Sequence, residues 1–203
     1  MVTVGNDRAD VERRLSAGLL PCPGCGGRLV GWGYGRSRTV RGDGEIRWRL
    51  RPRRARCSGC GRTHILLPVT CLVRRADAVA VIGAALMLAA AGWGHRRVAA
   101  AFGRSASTVR GWIRRFSARA GPLRSAFTAL ACDLDPDPRL PAPAGSVVAD
   151  AVAAIVAAAA AAVVRWGRVV FTVSPWQVAA AVSSGALLAP ESTVELINTT
   201  RPW

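Results

Sequence analysis

Lysine is absent from this 203-residue sequence, and all 28 basic residues are arginine. Alanine and glycine are abundant beside it, a combination that GC-rich coding produces. The arginine preference alone is therefore not functional evidence. Acidic residues are scarce, 12 against 28 bases, which leaves a net charge of +16. That scarcity bears on chemistry. Strand transfer on two metal ions needs three converging carboxylates. Beyond residue 124 only Asp133, Asp135, Asp137, Asp150, Glu191 and Glu195 are available. The first three sit in a Pro-rich stretch, Asp150 is isolated among alanines, and no Asp pair on strands is followed by a helical Glu. The expectation is a protein that is not an enzyme. An apolar signal core is also missing from the charged N-terminus, MVTVGNDRADVERR, which speaks against secretion and for the cytoplasm. In that compartment six cysteines indicate metal ligands or free thiols before disulfides.

The charge is unevenly spread. Residues 1–124 carry 24 arginines against six acids, a net +18, and residues 125–203 carry four against six, a net −2. A field this one-sided points to a polyanionic partner, double-stranded DNA above all, and to no small-molecule substrate. It also predicts that the chain past Leu140 folds by itself and is dispensable for DNA contact.

The cysteines fall into two knuckles, Cys22-Pro-Gly-Cys25 and Cys57-Ser-Gly-Cys60. Two such pairs form a zinc-ribbon layout, with four thiolates closing a tetrahedron around Zn and leaving no open catalytic position. Between them Val30, Trp32 and Tyr34 alternate with glycines. Arg41-Gly42-Asp43-Gly44 is a hairpin turn. Ile46, Trp48 and Leu50 then alternate with Arg47, Arg49 and Arg51, which predicts one apolar face and one solvent-facing arginine row. Arg53 and Arg54 extend the row, and its regular spacing suits phosphate contact. His64 follows as a packing or hydrogen-bonding residue rather than a fifth ligand. Cys71 and Cys132 remain as free thiols.

Residues 96–116, RRVAAAFGRSASTVRGWIRRF, carry a helix-turn-helix pattern. Gly103 permits the sharp turn and Ser105 is a suitable N-cap. Val109 and Trp112 share the inner face of the second helix. Ser105, Ser107, Thr108, Arg110 and Arg114 are left as candidate DNA contacts. The spacing of Ala99, Gly103, Val109 and Trp112 resembles the helix-turn-helix of bacterial repressors and transposase N-terminal regions. From Pro21 to Arg119 the order of knuckle, aromatic-glycine strand, Arg-rich strand, second knuckle and helix-turn-helix is similar to a family of uncharacterised bacterial zinc-ribbon and helix-turn-helix proteins. It also resembles the DNA-binding heads of insertion-sequence transposases. The resemblance implies DNA binding linked to mobile elements, although the large catalytic domain of transposases has no counterpart here.

Residues 76–91 are apolar nearly all round and predict a buried first helix ended by Gly92. A Pro/Asp linker is expected within 125–145, with 133–145 its core. Val147–Val164 contains ten alanines and one charge, Asp150. Alanine is weakly hydrophobic and Asp costly in lipid. The stretch is therefore read as a packed helix with a stripe of Val148, Val152, Ile155, Val156 and Val163, and as a homodimer surface. A short strand is expected at 169–173, and Ser174-Pro175 opens a last helix. The resulting fold class is mostly α with a small N-terminal β zinc ribbon, a helix-turn-helix in the middle and an Ala-rich helical C-terminal region. Its segments are 1–20 lead-in, 21–71 ribbon, 72–124 helix-turn-helix, 125–145 linker and 146–203 helical region. The function expected is a zinc-containing DNA-binding regulator or mobile-element accessory factor. A truncated or divergent transposase and a membrane-anchored DNA-binding sensor are the alternatives.

Overall fold

The structure, a computed structural model, describes residues 1–167 and 173–189. Its first element is β1 (Val2–Val4), followed by α1 (Arg8–Ser16). Asp7 starts α1 by accepting from the Ala9 N–H at 2.8 Å. Five strands follow: β2 (Leu29–Tyr34), β3 (Arg38–Arg41), β4 (Arg47–Leu50), β5 (Arg53–Cys57) and β6 (Thr63–Pro68). Four strands form a sheet in the order β1-β6-β5-β2, and β3 and β4 make a separate hairpin. The aromatic-glycine strand β2 thus pairs with β5, not with the arginine-bearing β4.

Residues 1–20 are not a lead-in. Strand β1 runs parallel to β6, and Val2, Val4, Val11, Leu15 and Leu20 share a core with Leu29, Ala55 and Leu66. Val2 and Val4 have strand spacing, and Val11 and Leu15 have helix spacing, so each segment offers one apolar face to the sheet. In the hairpin, Trp48 and Leu50 turn toward the larger core beside Val40, and Arg47 and Arg49 face solvent. Ile46 departs from the expected apolar face: it lies at the turn and is 63% exposed.

The helices are α2 (Val79–Ala90), α3 (His95–Ala101), α4 (Ala106–Ser117), α5 (Ala120–Leu134), α6 (Val147–Trp166) and α7 (Pro175–Val182). Helix α5 continues through Leu134, so the irregular linker begins only at Asp135. One core reaches from Val40 through all of α2–α7 to Leu188. The C-terminal region is therefore not a separate unit. Three contacts help to fix it. Phe116 of α4 meets Trp176 of α7 edge-on, with ring centroids 6.5 Å apart at 69°. A Cβ on Gly83 of α2 would lie 2.1 Å from the Trp176 ring, so only glycine lets that indole seat against α2. The buried Arg119 also donates to the Ala186 carbonyl.

Helix α6 is long and apolar enough to cross a membrane by length and composition. Nine of its residues, seven of them alanine, are buried within the chain. Of the expected stripe, Val152 and Ile155 are buried and Val148 and Val163 half-buried, whereas Val156 is 40% exposed. Alanine's small side chain is what lets α5 and α6 approach closely. The face assigned to self-association is thus largely spent inside the molecule. Ser174 and Gln177 close a capping box on α7, as the Ser-Pro signal implied. The strand expected at 169–173 lies, but for Val173, outside the described residues.

Candidate nucleic-acid interface and metal centre

Helix α4 owes its start to Ser105, whose Oγ accepts from the Thr108 N–H at 3.3 Å. Gly103 makes the preceding turn at φ +58°. A side chain there would meet the steric cost of left-handed backbone. Val109, Trp112 and Phe116 are buried, and Ala99 of α3 is buried opposite them. That burial fixes the rotation of α4. Ser105, Ser107, Arg110 and Arg114 are left exposed, and Thr108 and Gly111 half-exposed. Arg115 folds back along the helix and donates to the Gly111 carbonyl at 3.0 Å, so it does not join the outward row. Among the described residues Arg110 and Arg114 have no hydrogen-bond or ion-pair partner.

The four knuckle cysteines converge. The sulfurs of Cys22, Cys25, Cys57 and Cys60 all lie within 4.8 Å of one another. Cys22 Sγ is 3.7 Å from Cys60 Sγ, and Cys25 Sγ is 3.4 Å from Cys57 Sγ. A tetrahedral thiolate site with metal–sulfur bonds of ~2.3 Å has edges of about 3.8 Å, so the donor set fits such a metal. The N–H groups of Gly59 and Cys60 point at Cys57 Sγ from 3.3 and 3.4 Å. The Cys60 N–H chiefly, aided by the Cys25 thiol and the Gly59 N–H, pulls the Cys57 thiol down to about 6 against the cost of burial. The Gly27 N–H lowers Cys25, but the Cys57 and Cys60 thiols outweigh it and push Cys25 up to about 11. Cys71 is buried apart from the set, and desolvation raises its pKa.

His64 is buried, with Nε2 3.4 Å from Cys22 Sγ and Nδ1 3.4 Å from the Met1 amino group. Burial lowers its pKa, helped by the Met1 ammonium and Arg62. It sits behind the sulfurs as a hydrogen-bonding partner, the role of groups that orient metal ligands.

The arginine row divides. Arg47 and Arg49 are exposed, with no ion-pair partner among the described residues. Arg51 is exposed and sits over the Tyr34 ring at 5.2 Å. Arg53 is engaged internally: it bonds Glu12 at 2.8 Å and the Gly33 carbonyl at 2.7 Å, and covers Tyr34 at 4.9 Å. Arg54 is half-buried on β5 opposite Ile65. The row is broken because Arg53 and Arg54 belong to β5 in the sheet and Arg47 and Arg49 to β4 in the hairpin.

Residues 77–124 match a known family. The matching model is that of the homeodomain-like domain. The stretch comprises α2, α3, α4 and the start of α5, and a domain of this kind indicates DNA binding. No curated protein and no solved structure matches the chain. Sequence reasoning missed three residues that hold the homeodomain-like domain against the hairpin: Arg41, Asp77 and Arg104. Asp77 accepts from Arg41 Nη2 and Arg104 Nε, both at 2.7 Å. The available signal was a single acid in an otherwise basic stretch, at the foot of α2.

Proposed function

We propose that this protein is a zinc-stabilised DNA-binding protein of the cytoplasm, with α4 lying in the major groove. The reading rests on one observation: a capped helix whose inner face is buried and whose outer face carries only short hydroxyls and unpaired arginines. The Ser105 end brings backbone N–H groups and hydroxyls to the phosphates, since a helix N-terminus attracts anions. Arg110 and Arg114, one and two turns on, reach base edges, where arginine pairs bidentately with guanine. Arg47 and Arg49 add phosphate contacts. Cys22, Cys25, Cys57 and Cys60 hold the zinc, which supplies folding free energy and no chemistry on a substrate. The protein acts by binding, as a regulator or an accessory factor of a mobile element. Two of the described carboxylates are engaged within the chain. Asp77 is held by two arginines, and Asp150 accepts from Arg124 and the Ala144 N–H, so neither is left to carry a catalytic metal.

The test separates base reading from general attraction. A preferred site is first selected from random duplex. Arg110→Ala is then expected to cost on the order of 1–3 kcal/mol on that site and to relax preference at one or two base pairs. Equal weakening on the selected and a scrambled duplex would mean that α4 does not read sequence.

A further inference from the structure

The β3–β4 hairpin is fastened to the homeodomain-like domain at two levels. At the first, backbone bonds join them: Arg41 N–H donates to the Ala76 carbonyl and Ala78 N–H to the Arg41 carbonyl, each at 2.8 Å. At the second, Asp77 is 3% exposed and bridges Arg41 to Arg104, whose own side chain is 7% exposed. Arg104 also donates to the Gly42 carbonyl at 2.5 Å and to the Phe102 carbonyl at 2.9 Å. It stands between the Gly103 turn and Ser105, the cap of α4. One carboxylate therefore ties together the hairpin turn, the foot of α2 and the start of α4. Buried ion pairs of this kind add little net stability over an apolar replacement, and their best-attested use is to fix geometry.

We infer that the hairpin is a second DNA-contacting element, held at a fixed offset from α4 by Asp77 and Arg104. Its Arg47 and Arg49 engage the sugar-phosphate backbone of the same duplex, beside the groove that α4 enters. The inference rests on the reading of α4 as a recognition helix. In homeodomains the chain before the first helix passes to the minor groove next to the recognition site. Here the hairpin is bridged to that segment, residues 76–78, so the flanking backbone is what it can reach. Arg47 and Arg49 share one face of β4 and are opposite Arg41 and Thr39. The hairpin turn carries the exposed Asp43 and Glu45, so phosphates repel the tip and the contact is made along the strand.

The experiment is a set of salt titrations on the selected duplex. Arg47→Ala with Arg49→Ala should lower the log–log salt slope by about 1.8, at 0.9 per phosphate. Asp77→Asn removes a negative charge, so simple attraction would tighten binding and leave the hairpin's share intact. The fixed-offset arrangement gives the opposite. In Asp77→Asn the hairpin pair of substitutions no longer changes the slope, while Arg110→Ala still relaxes base preference. Should Asp77→Asn melt too low to titrate, Arg104→Met replaces it, removing the bonds to Asp77 and to the Gly42 carbonyl that join the hairpin to the start of α4. A full slope loss persisting in either background overturns the fixed offset. No slope loss in the otherwise native chain overturns the hairpin contact and leaves α4 untouched. Equal weakening of all duplexes by Arg110→Ala overturns the recognition-helix reading, and the inference with it.

Discussion

Cys57→Ser is expected to release the metal and melt the four-stranded sheet. The core beneath that sheet is small: ten residues, two of them the cluster cysteines Cys22 and Cys57. A core of this size leaves little to oppose the conformational entropy of ordering the chain, and domains this small commonly depend on a metal. Structural zinc supplies roughly 10–16 kcal/mol at neutral pH in small zinc domains, more than such a core provides by itself. The Cys60 and Gly59 N–H groups also hold the Cys57 thiol down, to about 6, and serine offers no thiolate in its place. The helical core is separate, and α2–α6 should keep their far-ultraviolet signal. Cys71→Ser is the control, because Cys71 is buried away from the cluster and should leave the metal in place. Metal analysis and thermal melting decide the matter. Purified native protein with an intact sheet and well under one metal ion per chain would refute the metal's structural role.

The helix-turn-helix and the cysteine cluster were legible because each depends on local spacing. Ala99, Gly103, Val109 and Trp112 impose burial through helical period alone, and two Cys-x-x-Cys pairs bring their sulfurs together in any ribbon. What was not legible was pairing across distance. Nothing in Val30–Tyr34 says that its partner is Arg53–Cys57 rather than Arg47–Leu50, since both candidates alternate with period two. In the folded chain β1 adds to the edge of β6, and Val11 and Leu15 of α1 share a core with Leu29, Ala55 and Leu66 of β2, β5 and β6. Arg53 illustrates the consequence. In sequence it continues a basic row, yet Glu12 and Gly33 claim its guanidinium once β5 joins the sheet. Asp77 was hidden for the same reason, because its two arginines lie 36 and 27 residues away.

A chain ending at Arg139 is expected to lose the folded helix-turn-helix and, with it, DNA binding at low salt. The charge asymmetry argues for the reverse, since the removed part has a net charge near zero and looks dispensable for a polyanion. Packing outweighs charge here. The truncation strips Ile155, Trp176, Leu187 and Leu188 from the core, side chains that are 0–4% exposed. Burying each is worth about 1.5–3 kcal/mol, so the four together contribute on the order of 6–12 kcal/mol. Whole domains are stable by only about 5–15 kcal/mol. Phe116 of α4 would lose its edge-on partner Trp176, and the surface of α2 around Gly83 would be left as a slot open to water. Arg119 would keep its charge while losing the Ala186 carbonyl. Trp176→Ala in the full chain is the graded version: removing a buried tryptophan costs about 3–5 kcal/mol and should lower the melting temperature without changing which base pairs are preferred. Dispersed amide resonances and native low-salt affinity in the truncated chain would show that α6 and α7 only decorate the DNA-binding unit.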